Sequence, residues 1–234
     1  MSDADPTALP AAAPSARGGS PEAGLADLPF RPRRFYARPP AWLGHPAALP
    51  ALALVGGMAT AIGRIDQTML RDDLGRPRPG EGAFADLLAG AWPVYWGVVL
   101  VSGVMSAVLI WHVGAWWYRV RLRWSGAPGV DAESAREVFL PSLLVRSAPS
   151  VLVMLGATAR HADFGAYWAA PAGAVDFLVL VFPFWGTWIA YRGVRARFPV
   201  ARGRARAWFL VLPALFYFVA LGVIGAVGAL AADG

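Results

Sequence analysis

The sequence contains no cysteine, and its polar chemistry is sparse in other respects. The absence of cysteine excludes disulfides, thiolate metal sites, iron–sulfur clusters and cysteine nucleophiles. Only 15% of the residues are charged, whereas about a quarter are charged in an average soluble domain. Lysine is absent too, so all 21 basic residues are arginine. Together with abundant Ala, Gly and Pro, this bias indicates a GC-rich bacterial genome.

Apolar residues are what the chain has in abundance, at 57% of its 234 residues. A helix that crosses a membrane needs roughly 20 mostly apolar residues. Five segments meet this need, and composition therefore predicts an all-α, polytopic membrane protein with five transmembrane helices. The predicted spans are 46–64, 92–117, 141–159, 173–191 and 208–230.

The first of these segments is the weakest, because it holds Pro46, Pro50 and several glycines. A re-entrant segment is the alternative there. Small residues recur on the helices, with Gly97 and Gly103 in the second span and Gly222 in the fifth. Such residues permit close helix contact, and the pattern leaves open whether they serve packing or self-association.

Two segments outside the spans are also interpretable. Residues 1–31 are rich in Ala, Pro, Gly and Ser without an apolar period, which predicts a disordered cytoplasmic tail before a transmembrane domain at 32–234. The tail lacks the pattern of a signal peptide, so we expect it to remain on the protein. Residues 125–140 begin with turn residues and offer Asp131 or Ser134 as a helix cap. We expect a surface segment there, ending where Pro141 opens the third span.

The distribution of arginine predicts the orientation. Residues 1–38 carry five arginines, the 119–140 connection four and the 192–207 loop six, against four in 64–91 and one in 160–172. Short arginine-rich loops stay on the cytoplasmic side, so the N-terminus is predicted to be cytoplasmic and the C-terminus outside. The predicted cytoplasmic basic loop comprises Arg192, Arg195, Arg197, Arg202, Arg204 and Arg206.

The same pattern identifies the expected partners. The net charge of +6 lies in loops beside apolar runs, where topology and anionic headgroups explain it. Membrane lipids, and other membrane proteins or self-association, are therefore the predicted partners, and nucleic acid is not one.

Three polar residues within the predicted spans are candidates for function: His112, Arg146 and Asp176. Ionisable groups at such positions are costly and often functional. His112 is a weak candidate for binding a haem or chlorin metal or for relaying protons, and a structural hydrogen bond is the alternative. Arg146 and Asp176 lie at different depths, so we expect Arg146 near His112 and Asp176 near Arg160. Structural anchoring is favoured over an ion or proton path.

No catalytic, metal-binding or cofactor-binding constellation is recognisable in the sequence. The three histidines stand far apart, at positions 45, 112 and 161. We find no phosphate-binding glycine loop, no paired carboxylates in a cavity-forming arrangement, and no Ser or Thr with a nearby base. The sequence therefore predicts a protein that is not an enzyme and that carries no cofactor.

Three stretches carry a resemblance to a known family: PRRFYARPPAWLGHPAALPALALVGGMATAIGRID at the first span, GAWWYRVRLRWSGAPGVDAESAREVFLPSLLVRSAPSV across the second connection, and FPFWGTWIAYRGVRARFPVARGRARAW before the last span. Over residues 32–230 the order of features resembles the Yip domain family of five-span, Rab/Ypt-interacting-type membrane proteins, in its bacterial form. The resemblance includes the Ala148-Pro149 pair in the third span. The acidic, tyrosine-containing motif of eukaryotic relatives has no counterpart here, so Rab binding is not implied.

The resemblance implies the five-span fold, the stated orientation and a role in organising membrane or partner proteins. The leading hypothesis is a non-enzymatic scaffold or assembly factor in the bacterial cytoplasmic membrane. One alternative is an accessory subunit of a respiratory or photosynthetic complex that binds lipid or pigment. A second is a small-solute transporter or channel that uses His112, Arg146 or Asp176.

Overall fold

A computed structural model describes residues 23–73, 75, 81–171, 173 and 179–232. Every regular element within these ranges is helical, which confirms the all-α prediction. In chain order the helices are α1 (Asp27–Phe30), α2 (Pro32–Ala37), a 3-10 turn (Ala41–Gly44), α3 (Ala48–Asp73), α4 (Glu81–Ala89), α5 (Trp92–Trp124, with a π turn at Ile110–Gly114), α6 (Ala132–Arg160), α7 (Phe164–Trp168), α8 (Phe182–Arg197) and α9 (202–232, with a π turn at Ala207–Val211).

Four helices are long and apolar enough to cross a membrane, and they identify the chain as an integral membrane protein. They are Ala48–Asp73, Trp92–Trp124, Ala132–Arg160 and Arg202–Val223. Each overlaps one predicted span. The first, which the prolines made doubtful, is one continuous helix of 26 residues, or roughly 39 Å at the helical rise. Pro46 precedes this helix and Pro50 lies in its first turn, where a missing N–H costs nothing.

The predicted span at 173–191 does not correspond to any of these four long helices. Helix α8, Phe182–Arg197, covers its second half and continues beyond it, with 16 residues, or roughly 24 Å. Residues 172 and 174–178 lie outside the described ranges. A fifth crossing therefore stays a prediction.

The boundary of the predicted tail is wrong at its C-terminal end. Residues 1–22 lie outside the described ranges, but α1 forms within 23–31, which was expected to be disordered, and α2 follows it directly. Leu28 is 1% exposed and Phe35 is fully buried. These apolar side chains pack against the helical bundle, which supplies the burial that a short segment lacks by itself.

The surface segment predicted at 125–140 is not a separate element. Asp131 is the helix cap, because its carboxylate accepts the Ser134 N–H at 2.8 Å. The helix then runs without interruption through Pro141 and Pro149 to Arg160. Proline usually breaks a helix, but Leu140, Pro141 and neighbouring side chains are buried, so tertiary packing holds the helix together.

The buried side chains form two clusters, one toward each end of the bundle. The first includes Phe35, Tyr118 and Phe209, at the end where α5 finishes and α6 begins. The second includes Tyr95, Leu88 and Phe164, near the junctions of α4, α5 and α7. Helix α6 is the most buried of the four long helices, whereas α5 and α9 expose most of their apolar surface. In a membrane these exposed faces meet lipid or other proteins.

Small residues on α3 and α5 bring those two helices into close contact. A Cβ added at Gly57 would meet the Gly103 carbonyl oxygen and lie 2.8 Å from the Ala107 nitrogen. A Cβ at Gly103 would lie 3.2 Å from the Met58 backbone. By contrast, the added Cβ at Gly97 or Gly222 meets nothing within 4 Å. The α3–α5 contact thus accounts for Gly103 through packing within the chain.

Candidate functional site

The arginine-rich segments of the sequence meet at one end of the bundle, here called the arginine-rich end. It comprises α1 and α2, the end of α5, the start of α6, the end of α8 and the start of α9. Tyr36 donates its hydroxyl to the Val138 carbonyl at 3.1 Å. The Ala201 N–H donates to the Ser125 carbonyl at 3.0 Å. These contacts join three segments that are remote in sequence into one packed surface.

The six arginines of the basic loop have different surroundings. Arg197 pairs with Glu137 at 2.5 Å, although a part-exposed pair of this kind stabilises by only about 0–1 kcal/mol. The Arg192 guanidinium lies over the Trp188 ring, 5.1 Å from its centroid. Arg202 and Arg204 are exposed. These exposed arginines are free to contact lipid headgroups or a protein partner.

Of the three intramembrane candidates, Arg146 has the clearest structural setting. It lies midway along α6, and its Nη1 donates to the Tyr217 hydroxyl on α9 at 2.6 Å. The expected position of Arg146 beside His112 stays a prediction. His112 is exposed on the π turn of α5.

Asp176 lies outside the described residues, so its expected pairing with Arg160 stays a prediction. In the described structure, the Arg160 Nε donates to the Gly156 carbonyl of its own helix at 3.0 Å. Across the described ranges, no three His, Cys, Asp or Glu side chains lie close enough together to hold a metal ion.

Arg146 lines a partly open cavity of about 80 Å³ where α5, α6, α8 and α9 meet. This volume exceeds the roughly 10–15 Å³ that one water needs on the same measure. None of the described residues that line the cavity is acidic. They are Tyr118, Arg121, Phe139, Ser142, Leu143, Arg146, Pro183, Gly186, Thr187, Ala190, Phe209, Pro213 and Tyr217.

Arg121 is a second arginine of this cavity, and sequence reasoning counted it only as a charge in a connecting segment. Its guanidinium lies 5.0 Å from the ring centroid of Tyr118 and 4.8 Å from that of Phe209. Its Nη1 donates to the Trp208 carbonyl at 3.5 Å. Local spacing does not single it out, because Arg121 lies three positions after Tyr118 and Arg119 lies three positions before Leu122, so each shares a helix face with one buried residue.

Two residues that line the cavity each carry a polar atom with no hydrogen-bond partner among the described residues. These atoms are the Tyr118 hydroxyl and the Arg121 Nε, and both are buried. Buried polar groups are usually hydrogen-bonded, so two unpartnered atoms on neighbouring lining residues call for an explanation. The Arg121 Nε can only donate and the Tyr118 hydroxyl can donate or accept, so an acceptor atom could satisfy either of them.

At the opposite end of the bundle, tryptophans connect the helices through their indole N–H groups. Trp92 donates to the His161 carbonyl at 2.9 Å, Trp96 to the Thr158 hydroxyl at 3.0 Å, and Trp168 to the Asp73 carboxylate at 2.6 Å. Rings with one polar edge favour the membrane interface. The indole hydrogen bonds thus join α5 to the end of α6, and α7 to the end of α3.

Comparison with known proteins adds no relative from which a function could be transferred. No family model matches the chain, and neither a curated protein nor a solved structure resembles it significantly.

Proposed function

We propose that this chain is a non-enzymatic, Yip-type protein of the bacterial cytoplasmic membrane that organises the lipids and proteins around it as a scaffold or assembly factor. It crosses the membrane five times, with the N-terminus in the cytoplasm and the C-terminus outside. Membrane lipids and other membrane proteins, or further copies of the chain, are its partners.

The observation that carries this proposal is the packing of three arginine-rich segments into one end of an otherwise apolar bundle. The contacts of Tyr36 with Val138 and of Ala201 with Ser125 hold these segments together. Such an end is suited to the anionic cytoplasmic leaflet, where each nearby arginine contributes about 1 kcal/mol of attraction. It also supports the predicted orientation, because arginine-rich connections are retained inside.

The exposed helices supply the second element of a scaffold. Helices α5 and α9 carry large exposed side chains, among them Met105 (68% exposed) and Phe216 (68% exposed). In a bilayer such side chains contact acyl chains or neighbouring helices. A protein with two lipid-facing helices and a cationic end can hold partners beside it while contacting headgroups.

The proposal is tested by extracting the tagged protein together with its surrounding lipid, followed by mass spectrometry, an absorption spectrum and cross-linking in intact membranes. The test variant carries Arg202→Glu and Arg204→Glu, since both arginines are exposed. The control carries Arg64→Glu, an equally exposed arginine on α3 away from the arginine-rich end. A C-terminal tag verifies that both variants insert normally.

We expect cross-links to neighbouring proteins or to other copies to fall several-fold in the double variant and to persist in the control. A colourless sample that carries lipid agrees with the proposal. A fixed set of subunits in constant stoichiometry, or a pigment band, would replace it with the accessory-subunit alternative. Solute flux in liposomes that Arg146→Gln abolishes would replace it with a transporter.

A further inference from the structure

We infer that the cavity between α5, α6, α8 and α9 binds a phosphoryl group, which comes from an anionic phospholipid headgroup or from free phosphate. This inference goes beyond the proposed function and does not depend on it. Its evidence is the set of groups that line the cavity: two arginines, two tyrosines and no described acid.

Neither of the two positive charges has a compensating negative charge among the described residues. The recorded partner of Arg146 is the neutral Tyr217 hydroxyl, and Arg121 lies against two aromatic rings and one carbonyl. No described carboxylate forms an ion pair with either arginine. A charge within an apolar helix is costly without a partner, and two cations at one cavity also repel each other. An anion between them removes both costs.

The unpartnered atoms point to the same conclusion. The Tyr118 hydroxyl and the Arg121 Nε are buried donors that find no acceptor in the described structure. Tyr217 accepts from Arg146, so its own O–H remains able to donate. A ligand with several acceptor oxygens can accept from the Arg121 and Arg146 guanidinium groups and from the Tyr217 hydroxyl, whose side chains line the cavity.

The two other hydroxyl groups of the cavity lining, on Ser142 and Thr187, already donate to backbone carbonyls. Ser142 donates to the Phe139 carbonyl and Thr187 to the Phe184 carbonyl, each at 2.7 Å. Each hydroxyl has a single proton, which is thereby used within its own helix. The donors left for a ligand are the two guanidinium groups and the two phenols.

A phosphoryl group matches this set better than a carboxylate does. It presents three or four oxygens rather than two, and the planar fork of arginine fits two of them at a time. The rest of the lining is apolar, with Phe139, Leu143 and Phe209 among its members. Phospholipid surrounds any protein of this kind, so a headgroup phosphate is within reach of a cavity that is partly open.

The test uses the full chain, delipidated in neutral detergent. Inorganic phosphate is titrated by calorimetry, and retained phospholipid is counted by native mass spectrometry after reconstitution in nanodiscs of phosphatidylcholine alone or with phosphatidylglycerol. The test variants are Arg121→Gln and Arg146→Gln. Their matched controls are Arg123→Gln, exposed on the same helix as Arg121, and Arg160→Gln, exposed on the same helix as Arg146.

We expect one saturable site, weakened roughly ten- to a hundredfold in each test variant, as loss of a charge-assisted hydrogen bond predicts. The controls should bind within about twofold of the unmodified chain. Arg146→Lys, which keeps the charge but loses the fork, should weaken binding by an intermediate factor. Tyr118→Phe removes the unpartnered hydroxyl and should also weaken it.

The two probes distinguish the sources. Retention of one phosphatidylglycerol per chain without phosphate binding identifies a headgroup site, and saturable phosphate binding without lipid retention identifies a free anion site. The inference is overturned if neither probe binds saturably, or if both bind the test variants as tightly as the controls. Should Arg146→Gln fail to fold, Arg121→Gln, Arg146→Lys and Tyr118→Phe provide the same comparison.

Discussion

Replacing Gly57 by alanine tests the close contact between α3 and α5. The added Cβ would meet the backbone of the facing helix, at the Gly103 carbonyl oxygen and 2.8 Å from the Ala107 nitrogen. Ordinary van der Waals contact of a Cβ begins near 3.4 Å. Because the obstacle is backbone and not a flexible side chain, the two helices must move apart by more than half an ångström.

The size of the effect follows from that displacement. A gap of roughly 0.5–1 Å loses a quarter to a half of the dispersion energy of the atoms involved, and overpacked sites typically lose about 1–3 kcal/mol. We expect Gly57→Ala to lie near the upper end of this range, at about 3 kcal/mol. Gly56→Ala should cost less, because its added Cβ meets the movable end of Leu143.

The matched control is Gly63→Ala on the same helix, where an added Cβ has open space. That change should be neutral or stabilise by up to about 1 kcal/mol, since alanine favours helix more than glycine does. Reversible unfolding of the purified variants in mixed micelles measures all three free energies. Equal stability of Gly57→Ala and Gly63→Ala would refute the packing argument.

Three further predictions test the ends of the bundle. Changing several of the loop arginines to Gln should allow inverted insertion, which alters the access of an impermeant reagent to a C-terminal tag. Unchanged access would contradict the predicted orientation. The six positions are Arg192, Arg195, Arg197, Arg202, Arg204 and Arg206. Asp131→Ala should cost about 1 kcal/mol as a lost helix cap, and Asp131→Asn much less. Hydrogen bonds from the Ser134 backbone N–H and hydroxyl lower the Asp131 pKa. The stabilisation by the cap is therefore present above the ordinary pKa near 3.9 and disappears as pH falls through the lower pKa of the folded state. A stability difference between the Ala variant and the unmodified chain that is independent of pH would argue against this cap. Trp96→Phe should cost about 0.5–1.5 kcal/mol through its lost hydrogen bond to Thr158, and a double-mutant cycle with Thr158→Val should show coupling; additive effects would exclude that bond.

Some local features were predictable because they depend on residues close together in sequence. The Asp131 cap requires only Ser134 three positions later, and the long apolar helices require only their own composition. Two features were not predictable in this way: the residue at which the tail ends, and the continuity of α6 from Ala132 to Arg160. The segment around Leu28 is helical because a surface distant in sequence buries it, and Pro141 is tolerated because the packing around it outweighs the lost hydrogen bond.

The residues of the candidate cavity likewise divide into one that the sequence identified and one that only the structure did. Arg146 stood out in the sequence as a charge within an apolar run, but Arg121 did not, since it looked like one of three alternating arginines. Which of them faces inward depends on how α5 is rotated about its axis. That rotation is constrained by contacts with residues far away in the chain, such as Gly57 against Gly103.

The sequence by itself therefore determined that this is a helical membrane protein with arginine concentrated in particular connections, because composition and helix signals are local. Only the tertiary structure decided that Arg121, Arg146 and Tyr217 share one cavity, and that the N-terminal segment belongs to the bundle. The physical reason is that burial and charge pairing depend on the relative rotation and spacing of helices, and those are set by packing between residues that no sequence window contains together.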